Sequence, residues 1–171
     1  ATTAVSVACA DGDCTNEVRA VSNALCADGD CTNEVNTAVR TARSVWEMNP
    51  LQRGRVIEEM LGRSPELSQN FPVIDRFSNG VATSIKSIDL SAASYQNINT
   101  LSSVVRGYIN TLANWQGTYW GGFEVNASDI VAREVLLAIP PGATEAQMAA
   151  LQQLQQWATT VGVTLNIVVV P

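Results

Sequence analysis

Lys86 is the only lysine among 171 residues, and the other nine of the ten cationic side chains are arginine. It lies in the stretch "FPVIDRFSNGVATSIKSIDL", Phe71 to Leu90, two residues after Ser84 and a short hop after Asp75. A carboxylate, a hydroxyl and an amine at this spacing have the types that phosphate chemistry needs. Carboxylates can hold a divalent cation that polarises a phosphate and lowers the pKa of a bound water. A lysine can position that water or steady developing negative charge. The chain has no histidine, which excludes histidine general acid–base catalysis and histidine metal ligation. Chemistry must rest on carboxylates, hydroxyls, thiols, arginines and this one amine.

The elements around these residues decide whether they meet. Asn79-Gly80 is a strong two-residue hairpin signal. With that turn Ser78 faces Val81, and Asp75 falls opposite Ser84. Directly paired residues project from one face, and side chains alternate with period two. Asp75, Ser84 and Lys86 are therefore expected on one face, with Val81 and Ile85 on the other. A one-residue slip would break the cluster. The plain alternative is a cross-strand salt bridge on a solvated face. Against it, Ala82 and Ser84 are small and leave space, and nothing else in the chain uses lysine, although surface ion pairs normally do.

The flanking pattern predicts a helix over residues 53–62 ("RGRVIEEMLG"), ended by Gly62, with Val56, Ile57, Met60 and Leu61 as its apolar stripe. Glu58 and Glu59 lie equally far from that stripe, so periodicity does not choose between them. Strands are expected over 71–76 and 81–90. A helix over 95–115 places Ile98, Leu101, Val104, Val105, Ile109 and Leu112 on one face. "WGGFEV" and "REVLLAI" read as strands. "TEAQMAALQQLQQWATTVG" reads as a helix with Thr144 as N-cap and Gly162 past its end. "TLNIVVV" reads as a buried last strand. The order α-β-β-α-β-β-α-β predicts an α/β fold, one mixed central sheet flanked by helices. Asp89 is expected to serve in structure or capping, Arg53 and Arg55 to be solvated or to meet phosphate, and Trp115, Tyr119 and Trp120 to pack in the core or at an edge. The glutamine run at 152–156 reads as a solvent face.

Ahead of this domain, "CADGDCTNEV" occurs at 9–18 and again at 26–35. Each copy carries two cysteines, Cys9 with Cys14 and Cys26 with Cys31. Local disulfides or free thiols are the first reading. A four-cysteine zinc site is the second, although the four-residue gap is not the usual knuckle spacing. The "DGD" turns lack the twelve-residue ladder of a calcium loop. Residues 1–49 are expected to form a small helical cysteine-repeat segment and 50–171 a separate domain, with Pro50 starting a helix. The net charge is −6, which argues mildly against nonspecific nucleic-acid binding. It is uneven: residues 1–50 hold seven acids and three arginines, and residues 51–171 hold nine acids and seven bases. No apolar run is long enough to cross a bilayer, so no stable membrane insertion is expected. The N-terminus has no signal-peptide pattern, and the chain reads as a fragment cut from a longer polypeptide.

The Asp75/Ser84-x-Lys86 layout is similar to the PD-(D/E)XK nuclease core, with serine in place of the usual acid. The missing ligand charge would then come from Glu58 or Glu59. More specifically, "RGRVIE", "FPVIDRF", "SIKSIDLSAASYQ", "VRGYI", "WGG" and "LAIPPGATEAQMAALQQ" resemble the C-terminal nuclease toxin domain of contact-dependent growth inhibition proteins, large bacterial exoproteins of the filamentous haemagglutinin type. The resemblance covers about residues 50–171. It implies a restriction-endonuclease-like fold with a site of Glu58, Asp75, Ser84 and Lys86, in which Glu58 and Asp75 hold a divalent metal. Zinc is implicated in the family, while an all-oxygen donor set suits magnesium or manganese. The resemblance also implies a metal-dependent DNase acting in the cytoplasm of a target bacterium, delivered as the end of a cell-surface exoprotein and neutralised by an immunity protein. A tRNA-cleaving toxin of the same fold is the nearer alternative, and a non-catalytic binding module the farther one. The Val-Glu-Asn-Asn boundary motif of many such toxins is absent.

Overall fold

The computed structural model describes residues 44–171. The cysteine repeat, with Cys9, Cys14, Cys26 and Cys31, and the segment expected before residue 44 lie outside the described residues. The compact unit that contains the candidate site runs from Val45 to Pro171.

Helix α1 is Pro50–Met60. Asn49 caps it, its side chain accepting from the Gln52 N–H at 3.0 Å, and Pro50 fills the first turn, where a missing N–H costs nothing. Its end is set by Gly62 at φ +83. The Gly62 N–H donates to the Glu59 carbonyl at 3.2 Å and the Arg63 N–H to the Glu58 carbonyl at 2.9 Å. Those two bonds form a Schellman closure, which needs the left-handed residue that glycine supplies without strain. The buried face differs from the expected stripe. Ile57 packs fully buried with Val45, Ile85, Ala138 and Val170, flanked by Val56 and Leu61, whereas Met60 is 58% exposed. Arg53 turns inward instead of being solvated. Its guanidinium lies 5.4 Å from the Trp46 ring centroid and 3.9 Å from Asp89.

The main sheet has the order β1-β2-β5-β6, from Arg76–Ser78, Val81–Ser87, Ala132–Ile139 and Thr164–Val169. The first pair is antiparallel; β2 with β5 and β5 with β6 are parallel, so the sheet is mixed as expected. Parallel neighbours need long crossovers. Helix α2, Ile98–Ala113, lies in the first and helix α3, Glu145–Thr160, forms the second. Leu101, Val105, Ile109 and Leu112 of α2 pack in one core with Leu151 and Leu154 of α3 and with Val135, Leu137, Ile139 and Leu165 of the sheet. Ile98 and Val104, expected on the same face, are half-buried. Helix α1 covers the opposite sheet face. Each fully buried Leu or Ile contributes about 1.5–3 kcal/mol, so both faces are strongly held.

"WGGFEV" is not one strand. Gly121 and Gly122, at φ +60 and +86, turn the chain between β3, Gly117–Trp120, and β4, Phe123–Asn126, which form a separate two-stranded hairpin. Trp115 packs in the core, edge-on to Phe71 at 6.5 Å. Tyr119 and Trp120 are exposed rather than packed. The helix expected from residue 95 begins at Ile98 because Ala93–Gln96 forms a 3₁₀ turn. Thr144 caps α3 as expected, in a capping box with Gln147, and Gly162 follows its end at φ +77. Of the glutamine run, Gln155 bonds the Leu165 carbonyl; Gln152, Gln153 and Gln156 face solvent.

Candidate active site

The β1–β2 hairpin fixes the first half of the site. Asn79 and Gly80 both take positive φ, +51 and +77, the turn that matches the twist of a hairpin. The register follows: Ser78 pairs with Val81, Phe77 with Ala82 and Arg76 with Thr83. Beyond Arg76 the ladder departs from expectation. The Asp75 N–H donates to the Thr83 carbonyl at 2.9 Å, although Thr83 is already the partner of Arg76. Two successive residues thus oppose one, as in a β-bulge, which re-aims a side chain. Asp75 is therefore not the direct partner of Ser84. The expected strand over 71–76 is mostly irregular for the same reason. Val73 has φ +72, rare for a β-branched residue, and the Ile74 N–H folds back to the Pro72 carbonyl at 2.9 Å.

Because β1 has only three residues, it ends before β2 does, leaving a notch beside Ile85 and Lys86. The Asp75 carboxylate fills it. Its Oδ2 accepts the Ile85 N–H at 2.7 Å, replacing the ladder bond β1 no longer supplies. The Lys86 ammonium donates to the same oxygen at 3.2 Å and to the Ile85 carbonyl at 3.0 Å. Lys86 starts on the sheet face that carries Ala82 and Ser84, and its long stem brings the charge to the sheet edge. Its side chain keeps 31% exposure.

Helix α1 supplies the second half. Glu58 is half-buried and Glu59 exposed. Glu58 Oε2 accepts from Arg63 Nη1 at 2.8 Å, and the same Nη1 lies 3.8 Å from Asp75 Oδ1. Burial raises the pKa of Glu58 first, and the charge of Asp75 raises it further, against the opposing pull of Arg63 and Lys86. The two carboxylates thus feel each other, and Glu58 carries negative charge that its surroundings disfavour.

Glu58, Asp75 and Lys86 converge at the notch. Ser84 is 2% exposed, and among the described residues no hydrogen bond joins it to the three. Asp89 lies past the end of β2 and closes a turn, its Oδ1 accepting from the Ser91 N–H at 3.0 Å and the Ser91 hydroxyl at 2.6 Å. Sequence reasoning missed Arg63. The signal was a Glu58/Arg63 pair spanning a helix-ending glycine, since the closure around Gly62 returns the chain beside Glu58. It also missed Glu134 of β5, which ties the neighbouring strands together. It accepts from Arg76 at 3.0 Å, from Thr83 at 3.0 Å and from Asn166 at 2.7 Å.

Among the described residues no three His, Cys, Asp or Glu side chains group as metal ligands. The donors present still fit a hard cation that keeps several waters. Glu58 is raised in pKa by burial and then by the charge of Asp75, the two carboxylates lie beside one another, and oxygen is the donor such ions prefer.

The profile of the CDI toxin restriction endonuclease-like domain matches residues 53–168, which takes in most of α1, the hairpin and the main sheet up to the last residue of β6. The chain belongs to that family. Two curated proteins are similar to it. One is "Deoxyribonuclease CdiA-o11" of Escherichia coli O157:H7 (strain EC869), 29% identical over 144 residues. The other is "Deoxyribonuclease CdiA" of Yersinia pseudotuberculosis serotype O:3 (strain YPIII), 28% identical over 142 residues. Each match takes in 77% of this chain, but only 38% and 13% of those relatives' own lengths. A solved "CdiA-CT/CdiI toxin and immunity complex from Yersinia pseudotuberculosis" contains a chain of similar fold, with a TM-score of 0.61 and 29% identity. That similarity covers 67% of this chain and 98% of that one. Membership in the CDI toxin restriction endonuclease-like family agrees with the mixed sheet flanked by helices. Among the described residues no helix is long and apolar enough to cross a membrane.

Proposed function

We propose that this domain is a metal-dependent endonuclease toxin that cleaves DNA in a competing bacterium. The observation that carries the reading is the convergence of Glu58, Asp75 and Lys86 at the notch where β1 ends. That both curated relatives are named deoxyribonucleases favours DNA over tRNA.

Glu58 and Asp75 would hold the cation, magnesium, manganese or zinc. When bound, it polarises a phosphate oxygen and lowers the pKa of a water. Asp75 is oriented for this by the Ile85 N–H, so its carboxylate is fixed by backbone rather than by a flexible partner. Lys86 presents an ammonium beside Asp75 and, still partly exposed, steadies the negative charge that builds on the attacked phosphate. Ser84, two residues before Lys86, is assigned a supporting role through its small side chain. The cluster of Glu58, Asp75, Arg63 and Lys86 sums to zero charge. A divalent cation makes it net positive, which draws a polyanionic substrate to a chain whose overall charge is −6.

A cognate immunity protein as tight-binding partner, delivery as the end of a larger exoprotein and action in the target cytoplasm complete the proposal. The relative solved together with an immunity protein supports the first of these. Incubating purified protein with plasmid and with total tRNA, each with and without EDTA, tests the reading. Nicking of plasmid that EDTA abolishes is expected. Cleavage of tRNA alone would transfer the site to the other substrate, and no cleavage of either would make the domain a binding module.

A further inference from the structure

The Schellman closure at Gly62 carries Arg63 back beside the helix it has just left. Its guanidinium is then gripped on two sides. Nη1 meets Glu58 Oε2 at 2.8 Å and stands 3.8 Å from Asp75 Oδ1. Nη2 donates to the Leu67 carbonyl at 3.2 Å and to the Ser68 carbonyl. The side chain is only 12% exposed. Meanwhile Asp75 Oδ2 is committed to the Ile85 N–H and to Lys86. Asp75 Oδ1 and Glu58 Oε2 are the two acid oxygens that both lie beside Arg63 Nη1, so a cation bridging them takes the place of that nitrogen.

We propose that Arg63 is the internal counter-cation of this carboxylate pair, and that a divalent cation must compete with it for Glu58. The inference rests on the proposed cation site. Two neighbouring carboxylates removed from water without a positive partner are costly. The guanidinium offsets that cost in the metal-free protein and keeps the acids converged. The same contact weakens cation binding, because a cation that bridges those two oxygens breaks a short charge-assisted hydrogen bond. Release of Glu58 does not set Arg63 adrift, since its bonds to the Leu67 and Ser68 carbonyls are independent of Glu58. Arg63 is thus a positioning residue whose removal has opposite effects on the empty and the loaded protein.

The test is calorimetric titration of manganese into EDTA-stripped wild-type and Arg63→Gln protein, with melting curves of both before and after loading. Arg63→Gln is expected to melt lower when metal-free, to bind manganese about tenfold more tightly, and to gain more melting temperature on loading. A purely structural arginine would instead lower or leave unchanged the affinity of its variant, and a folded Arg63→Gln that binds manganese no more tightly than wild type overturns the proposal. Binding by neither protein removes the cation reading and this inference together, whereas equal binding by both removes only the inference. Should Arg63→Gln fail to fold, the guanidinium nitrogen resonances of wild-type Arg63 serve instead. Magnesium is expected to shift them, and unshifted resonances at saturating magnesium overturn the proposal.

Discussion

The Asp75 carboxylate accepts the Ile85 N–H at 2.7 Å and so takes the place of a strand. Where β1 stops, a side chain rather than a backbone carbonyl satisfies the next donor of β2. The acid is held in place by the sheet itself, and the edge left open around it is where Lys86 and Glu58 arrive from opposite faces.

Lys86 is expected to matter for rate far more than for folding, since its side chain stays partly exposed. Lys86→Ala should slow plasmid nicking by about 100-fold or more, the scale of one lost charge-stabilising donor. Its circular dichroism spectrum should match wild type. Retained nicking would remove Lys86 from the chemistry.

Glu58 and Glu59 are adjacent, yet only Glu58 reaches Arg63. Glu58→Gln is therefore expected to abolish cation binding in a calorimetric titration, and Glu59→Gln to leave it unchanged. Equal effects of the two substitutions would mean that helix geometry does not select the ligand.

This choice marks the limit of what the sequence made legible. Asn79-Gly80 disclosed the hairpin and its register, and the spacing around Thr144 and Gly162 disclosed α3. These are local signals. The bulge at Asp75 was hidden because nothing in "FPVIDRF" announces that Val73 will adopt φ +72, a conformation imposed by surrounding packing. The simple parity that put Asp75, Ser84 and Lys86 on one face therefore described the hairpin but not the notch. The choice of Glu58 came from family resemblance, since a helical wheel leaves both glutamates level. The inward turn of Arg53 toward Trp46 and Asp89 and the outward turn of Met60 are tertiary outcomes that hydrophobic periodicity does not carry. The single strand read into "WGGFEV" overlooked a turn signal, since two successive glycines suit a tight hairpin.

Gly62 holds the end of α1 at φ +83, and the fold of Arg63 back to Glu58 depends on it. Gly62→Ala should cost about 1 kcal/mol of stability in denaturant melts. Unchanged stability would show that the closure is not under conformational constraint.

The raised pKa of Glu58 has a sign that stability can read. A carboxyl whose folded pKa lies above its unfolded value favours folding fully below the unfolded value and loses that contribution as pH rises through the folded one. In EDTA, then, Glu58→Gln should gain melting temperature relative to wild type as pH rises from about 4 to about 7. A difference between the two proteins that does not change with pH would contradict the burial and Asp75 repulsion assigned to Glu58.

Ile57 is fully buried where α1 meets the sheet, one residue before Glu58. Ile57→Ala should destabilise the domain by about 2–5 kcal/mol. Any surviving folded protein should bind cation more weakly, because the helix that aims Glu58 has lost its anchor. A loss below about 1 kcal/mol would mean that α1 is held by other contacts.

The most direct measurement is anomalous diffraction from crystals soaked in manganese. A single strong peak is expected at the notch, about 2.1 Å from an oxygen of Glu58 and from Asp75 Oδ1, with Arg63 Nη1 no longer bonded to Glu58. A peak elsewhere, or none at saturating manganese in crystals whose notch is open to solvent, would contradict a cation site built from Glu58 and Asp75.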